Sequence, residues 1–181
     1  MKKKLIATLL ILSMAFALSA CGGGGEKKAE SDKPTTTENT EKTETKKETK
    51  GGEIVLNQPI EFKDFTITIK SFSVVKDYDG NPVLKMVYDW ENTGEDADAP
   101  FLTFTVKGFQ DGVQTDDMVI SESIDLGIGQ KEVKPGGIIS DAEEGIGITA
   151  MDKPFEIEIA TLMNFDDENV YKYTIDDLNQ L

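Results

Sequence analysis

Acidic side chains crowd three loop segments of the chain, and carboxylate oxygens are the ligands that calcium prefers in proteins. The three groups are Asp77 and Asp79; Glu95, Asp96 and Asp98; and Asp166, Asp167 and Glu168. None of them has the twelve-residue spacing of a calcium-binding loop, and runs of charged residues usually lie in solvent. We therefore predict no resident cofactor and at most weak calcium binding, for which the candidate ligands are Asp77, Asp79, Glu95, Asp96 and Asp98.

Residue types that commonly carry catalysis are scarce in this chain. It contains no His and no Arg, and Cys21 is its only Cys, which excludes a His-dependent triad, a Cys/His zinc site and an internal disulfide. Ser73 and Lys76 have the Ser-x-x-Lys spacing of penicillin-recognising enzymes, where both side chains lie on one face of a helix. The residues around them alternate as in a strand, which points positions three apart to opposite faces. We predict a protein that is not an enzyme and has no catalytic residue.

Charge is distributed unevenly along the chain. Residues 22–52 hold seven Lys and seven acidic residues and are neutral, whereas residues 53–181 hold nine Lys and 27 acidic residues, a net charge of −18. A field of this sign repels phosphate backbones and anionic lipid headgroups. We therefore exclude nucleic-acid binding, and we expect contact with the membrane only through a lipid anchor.

The start of the chain has the organisation of a secretory signal. Residues 2–4 are lysines, and residues 5–18 form an apolar run shorter than the roughly 20 residues of a membrane-spanning helix. The sequence Leu18-Ser19-Ala20-Cys21 resembles the lipobox of bacterial lipoproteins position by position. The resemblance implies cleavage between Ala20 and Cys21 and a diacylglycerol thioether on Cys21. Such a modification anchors an extracytoplasmic protein at the outer face of the membrane.

The chain divides into three parts: a signal peptide at 1–20, a lipidated N-terminus with a tether at 21–52, and a folded domain at 53–181. After Cys21 the tether opens with four Gly and closes with two, and between them lie mostly Glu, Lys and Thr. Such a segment buries too little apolar surface to offset the entropy of ordering. We predict a disordered spacer that reaches about 30 Å by the square-root rule for flexible linkers.

Alternation of apolar and polar residues predicts strands throughout the domain. Residues 65–69 alternate in this way, and the phase slips at Lys70-Ser71, which predicts a β-bulge. Residues 83–91 form the predicted central strand, and Asp111-Gly112 is a hairpin signal. Further strands are predicted at 101–109, 138–139, 145–150, 155–159 and 170–175, whereas residues 113–134 have no clear pattern and residues 176–181 are expected to fray.

Seven or eight short strands without a convincing helical period predict an all-β fold, an antiparallel immunoglobulin-like β-sandwich. Trp90, Tyr88, Phe104 and Phe109 are prominent aromatic residues of these strands. They form either part of the core or a ligand-binding stripe, and their alternation with polar residues favours the core.

Three segments, at 87–94, 109–113 and 133–137, occur in an order and spacing that resemble a known family. Their sequences are Val-Tyr-Asp-Trp-Glu-Asn-Thr-Gly, Phe-Gln-Asp-Gly-Val and Val-Lys-Pro-Gly-Gly. The family consists of secreted lipoproteins of Gram-positive bacteria with a domain of unknown function, similar in fold to small secreted immunoprotective antigens with an immunoglobulin-like sandwich. The resemblance covers roughly residues 53–175. It implies the fold and a Gram-positive envelope, and it implies no active-site residue.

The sequence therefore predicts a lipid-anchored module at the cell surface with a non-catalytic binding or structural role. The expected partners are an envelope protein, a cationic peptide or a wall polymer, because an acidic surface attracts cationic groups. Two alternatives stay open. One is a carboxylate-based cell-wall enzyme or an enzyme inhibitor, and the other is an accessory subunit of an export or solute-binding system.

Overall fold

Residues with alternating apolar side chains form nine strands in the computed structural model, which describes residues 51–163 and 169–181. The strands are β1 at Gly52–Glu53, β2 at Pro59–Glu61, β3 at Phe65–Lys76, β4 at Pro82–Asn92, β5 at Phe104–Gln110, β6 at Val113–Gln114, β7 at Ile138–Gly147, β8 at Phe155–Thr161 and β9 at Tyr171–Ile175. A one-turn helix, α1 at Pro100–Thr103, and a 3₁₀ helix at Leu178–Gln180 also lie in this part of the chain.

The N-terminal predictions fall largely outside the described residues. The signal peptide, its cleavage site, Cys21 and residues 22–50 of the tether lie there, as do Asp166, Asp167 and Glu168. Gly52, which the sequence assigned to the tether, is the first residue of β1 and pairs with Tyr171. In the part of the chain that the structure describes, no helix is long and apolar enough to cross a bilayer.

The strands form two sheets. One has the order β1-β9-β8-β5-β6 and the other the order β2-β3-β4-β7, and the pairs are antiparallel except that of β1 with β9. Two sheets that share one apolar core confirm the predicted all-β, immunoglobulin-like sandwich, an architecture whose members share the layers even where strand order differs. The described strands outnumber the predicted seven or eight because β1 and β6 have only two residues each.

The core between the sheets is built around large aromatic side chains. Trp90 and Tyr88 are fully buried, Tyr88 meets Phe104 edge-on with ring centroids 5.3 Å apart, and Phe65 stacks 6.0 Å from Trp90. Aromatic pairs add roughly 0.5–1.5 kcal/mol beyond the apolar area that they bury. Trp90, Tyr88 and Phe104 therefore belong to the core, as predicted, whereas Phe109 is only half-buried.

Several local features confirm the sequence signals. Residues 83–91 lie in β4, between β3 and β7, in the central position predicted for them. The pairing of β3 with β4 shifts register between Ile69 and Ser71, where the bulge was predicted. Asp111 and Gly112 have φ angles of +51° and +76°, the positive values that the two-residue turn between β5 and β6 requires. The Ser-x-x-Lys pair lies in β3, in the strand setting predicted for it.

Three predicted boundaries are wrong. The strand expected at 101–109 begins only at Phe104, because Pro100 favours the first turn of a helix and α1 precedes the strand. The strands expected at 138–139 and 145–150 are joined in one continuous strand, β7, which ends at Gly147. Leu178 is buried against the core, so the end of the chain is held in place and does not fray as expected.

Two buried amide side chains hold loops at the ends of strands. The Asn92 amide nitrogen donates hydrogen bonds to the main-chain oxygens of Asp96 and Val133, both at 2.8 Å. The Gln110 amide nitrogen donates to the oxygen of Ala150 at 2.7 Å, and its side-chain oxygen accepts from the amide of the same residue at 3.0 Å. Because buried polar groups are costly when unpaired, each amide fixes one arrangement of its loop.

The segment 115–125 runs along the outer edge of β7 and accounts for much of the stretch without a clear sequence pattern. The amide of Val119 donates to the oxygen of Gly145 at 2.9 Å. A Cβ at Gly145 would lie 2.4 Å from the Val119 oxygen, so this close approach requires glycine. The segment covers a strand edge that would otherwise be open to pairing with another chain. It also brings Asp117 and Met118 beside β7.

Candidate functional site

β7 directs one carboxylate toward the space between the sheets. Ala142 and Ile146 in this strand are buried in the core, and residues two apart in a strand point to the same face. Glu144 lies between them and therefore faces inward, where its side chain is half-buried. Because β7 is the edge strand of its sheet, this carboxylate lies at the lateral opening of the sandwich.

A cavity of about 110 Å³ opens beside Glu144, and we call it the Glu144 cleft. Its walls come from β5 at 104–106, β7 at 144–146, residues 117–118, Phe101 and Leu162. For comparison, a cavity of roughly 150 Å³ holds a benzene molecule, and pockets for small-molecule ligands commonly measure about 300–1,000 Å³. The Glu144 cleft therefore has room for one side chain and not for a whole small-molecule ligand.

Burial governs the electrostatics of the cleft. It raises the pKa of Glu144 to about 7, and the negative charge of Asp117 adds to this effect. Burial also raises the pKa of the Tyr88 hydroxyl, and the charge of Glu144 contributes as the second cause. Among the described residues the Tyr88 hydroxyl has no hydrogen-bond partner and Glu144 has no cationic partner. Lys85, from the neighbouring strand, is instead paired with Glu143.

The rim of the Glu144 cleft exposes apolar side chains to solvent. Phe101, Met118 and Leu162 line the cleft and are 40%, 60% and 49% exposed. The φ angle of Met118 is +51°, a left-handed conformation that is uncommon for a bulky side chain. Such conformations cost about 1–3 kcal/mol and cluster at binding and catalytic sites. An apolar rim around a partly desolvated carboxylate fits a ligand that has a cationic centre and apolar flanks.

One of the candidate calcium ligands, Asp77, shapes the turn that also contains Asp79. The Asp77 carboxylate accepts hydrogen bonds from the side-chain amide of Asn81 at 2.9 Å and from its main-chain amide at 2.8 Å. It also accepts one from the amide of Asp79 at 2.9 Å. These hydrogen bonds, led by the one from the Asn81 side chain, hold the pKa of Asp77 below its ordinary value. The carboxylate therefore has an evident structural role in the turn between β3 and β4.

The remaining calcium candidates lie in the loop after β4. Glu95 and Asp96 are exposed, and the Asp98 carboxylate accepts a hydrogen bond from the amide of Ala99 at 2.8 Å. Across residues 51–163 and 169–181, no three acidic, His or Cys side chains converge as metal ligands do. The structure thus leaves the turn after β3 and this loop as separate acidic segments.

A larger concavity elsewhere is an open groove. It measures about 810 Å³ and runs beside β1 and β9, with Lys172 and Asp176 among its lining residues. Lys172 is already paired with Glu158 at 2.6 Å, which raises the pKa of the lysine. A groove whose lysine is engaged and whose walls are open to water holds a ligand less well than a partly closed cleft with an unpaired charge.

The sequence alone did not reveal the Glu144 cleft. Glu144 is one of two adjacent glutamates, and only the phase of the strand shows which of them points inward. One signal was present: a charged residue in the same alternating register as Ala142 and Ile146. Asp117 and Met118 lie in the stretch without a pattern, and nothing in the sequence connects them to β7.

The chain matches a protein-family model. A family model described as a domain of unknown function, DUF5067, matches residues 27–141, which is more than half of the chain. This agrees with the domain of unknown function that the three sequence segments resemble. No curated protein matches the chain.

Comparison with solved structures gives matches that include two bacterial proteins. An uncharacterized beta-sandwich protein of Clostridium difficile has 15% identity and a TM-score of 0.48, and the match covers 72% of this chain and 98% of that one. A Staphylococcus aureus protein described as a "putative lipoprotein" has 12% identity and a TM-score of 0.52, with 68% of this chain and 90% of that one covered. The likeness to the Staphylococcus aureus structure, at 12% identity, supports the fold alone.

Proposed function

The chain belongs to the DUF5067 family, a domain of unknown function, and from this premise we propose a role for this member. It is a lipid-anchored, extracytoplasmic β-sandwich that binds a partner through the Glu144 cleft and catalyses no reaction. The observation that carries the proposal is the cleft itself. It holds a half-buried carboxylate without a cationic partner among the described residues, and exposed apolar side chains surround it.

The ionised form of Glu144 lowers the stability of the folded protein. Raising the pKa of a carboxyl from 4.5 to about 7 costs about 3 kcal/mol once the group is ionised. Groups kept in such unfavourable environments cluster at functional sites. An inward charge on an edge strand also discourages pairing with another chain. In this protein the 115–125 segment already covers the edge of β7, so protection of the edge does not require Glu144.

The anchoring part of the proposal rests on Cys21 and on the signal pattern before it. Support comes from the structural neighbour described as a "putative lipoprotein". The net charge of −18 over residues 53–181 keeps the domain away from anionic lipid headgroups. The lipid and the tether therefore present the domain at a distance from the bilayer, where its cleft is free to meet a partner.

Replacement of Cys21 by Ser tests the anchor. The natural chain is expected in the membrane fraction, whereas Cys21→Ser is expected to lose most of its membrane association because the sulfur that carries the lipid is gone. Fractionation followed by immunodetection measures the difference. Equal membrane partition of both proteins would overturn the anchoring proposal.

Capture from an envelope extract tests the binding role. The bait is the full-length protein, and the variants are Glu144→Gln in the cleft and Glu122→Gln at an exposed position of the 115–125 segment. Both substitutions remove one negative charge, so they separate the cleft from the overall charge. A partner that binds in the cleft is retained by Glu122→Gln and lost from Glu144→Gln. Identical recovery from all three baits would contradict a role of the cleft.

A second candidate function, carboxylate-based hydrolysis at the cell wall, is favoured by one observation. Glu144 has its pKa raised to about 7, as the general acid of a glycosidase does. The cleft of about 110 Å³ is small for a saccharide, which favours binding over hydrolysis. Incubation of the protein with peptidoglycan, followed by product analysis, distinguishes hydrolysis from binding. Hydrolysis products that form with the natural protein and not with Glu144→Gln would establish an enzyme.

A further inference from the structure

We infer that the Glu144 cleft receives a lysine side chain of a partner polypeptide, with its ammonium group at the carboxylates of Glu144 and Asp117 and its apolar neighbours on the rim. The inference rests on the proposed function and specifies the partner of the same site. Four properties of the molecule carry it: local charge, cavity size, the apolar rim and the charge of the whole domain.

The local charge selects a cation. Glu144 faces the cleft from β7, Asp117 faces it from the 115–125 segment, and both line the same cavity. None of the ion pairs among the described residues includes Glu144 or Asp117; those pairs engage Lys63, Lys70, Lys85, Lys153 and Lys172 with other carboxylates. A cationic group entering the cleft therefore meets negative charge that no described lysine neutralises, in surroundings where partial burial strengthens the attraction.

The size and walls of the cleft select a lysine side chain over other cations. Calcium takes six to eight oxygen ligands as a rule, and two carboxylates leave most of these positions unfilled. The walls include Phe104, Val106 and Ile146, which suit the apolar stem that lysine buries beneath its ammonium group. Arginine carries a wider, planar head group with five donors, which fits a cavity of about 110 Å³ less well.

The rim and the net charge favour a polypeptide as the source of the lysine. Phe101, Met118 and Leu162 offer exposed apolar surface beside the cavity. In a peptide, the residues next to the lysine cover this surface, whereas a free amine leaves it exposed to water. A second copy of this chain is disfavoured as the partner because each domain carries a charge of −18. A basic partner would be steered toward the domain by the same charge.

The test uses a fluorescently labelled heptapeptide with one lysine between two leucines, and a matched peptide with norleucine in place of lysine. Anisotropy titrations with the full-length protein at about pH 8, where Glu144 is mostly ionised, measure both affinities. The lysine peptide is expected to bind at least roughly tenfold more tightly, the range for a hydrogen bond to a charged group. Spermidine serves as the free-amine probe.

Three variants locate the effect. Glu144→Gln is expected to abolish the preference for the lysine peptide, whereas the exposed Glu122→Gln is expected to retain it. Met118→Gly keeps the backbone conformation, since glycine accepts a positive φ, and is expected to weaken both peptides while leaving the preference intact. Lowering the pH to about 5.5 is expected to remove the preference of the natural protein, because Glu144 becomes protonated.

The outcomes separate this inference from the proposed function. Equal binding of both peptides, with both weakened in Met118→Gly, overturns the lysine inference and leaves the cleft as a binding site. A preference that persists in Glu144→Gln, spermidine binding as tight as the lysine peptide, or no binding of either peptide also overturns it. The proposed function is decided independently by the envelope capture with Glu144→Gln and Glu122→Gln.

Discussion

Replacing Glu144 with Gln keeps the size of the side chain and removes its ability to ionise. In the natural protein the pKa of this carboxyl rises from 4.5 to about 7 on folding, because of burial and the charge of Asp117. An acid whose folded pKa is raised contributes stability that is fully present below its unfolded pKa and is lost as the pH rises through its folded pKa. The natural protein therefore loses stability from this group between about pH 4.5 and pH 7.

The magnitude follows from linkage. Each tenfold difference in proton affinity is worth about 1.4 kcal/mol, so full ionisation of Glu144 costs about 3 kcal/mol. Relative to the natural protein, Glu144→Gln is expected to gain under about 1 kcal/mol of unfolding free energy at about pH 5 and about 3 kcal/mol at about pH 8. Titrating groups that do not interact with Glu144 are common to both proteins and cancel in the difference.

Urea denaturation of the full-length protein at both pH values measures the effect. The fluorescence of Trp90, the only tryptophan, reports loss of the core in which it is buried. Glu122→Gln, which removes a charge at an exposed position of the chain, is the matched control and is expected to show no comparable gain. A Glu144→Gln protein that is no more stable than the natural one at the higher pH would refute the argument that the carboxylate is desolvated.

Three further substitutions test the fold. Asn92→Ala is expected to lower the unfolding free energy by about 2–3 kcal/mol in urea titrations, because the oxygen of Val133 and other loop groups lose a buried partner. Gly108→Ala places a Cβ 2.4 Å from the ring of Phe155 and is expected to cost about 1–3 kcal/mol by overpacking, seen as a lower melting temperature. Met118→Gly is expected to leave stability unchanged or raise it by up to about 1 kcal/mol, because it relieves a positive φ; a clear loss would contradict this.

Most of the fold is predictable from the alternation of apolar and polar residues along the strands. The buried Phe155, Ile157 and Ile159 alternate with half-buried glutamates in β8, as the sequence indicates. The bulge in β3 was predictable because the alternation of apolar and polar residues changes phase at Lys70, where the pairing shifts register. Leu102 and Thr103 continue the alternation of residues 104–106 backward, but the preceding Pro100 starts a helical turn that includes both of them. The geometry that proline imposes therefore overrides the local strand pattern.

The candidate site was not predictable because tertiary contacts decide it. The inward face of β7 changes parity between Ile139 and Ala142, where the pairing with β4 shifts register and Asp141 has a φ angle of +56°. This irregularity decides that Glu144 and not Glu143 faces the core. The covering segment 115–125 pairs with the main chain of β7, and main-chain pairing leaves little trace in side-chain alternation.

The methyl resonance of Met118 provides the most direct measurement of the central claim, that the Glu144 cleft is a binding site. Met118 lines the cleft and is 60% exposed, whereas Met86 is fully buried in the core. In full-length protein labelled at the methionine methyl groups, addition of the lysine-containing heptapeptide is expected to shift the Met118 resonance saturably and to leave Met86 in place. A Met118 resonance that stays fixed throughout the titration would contradict the claim.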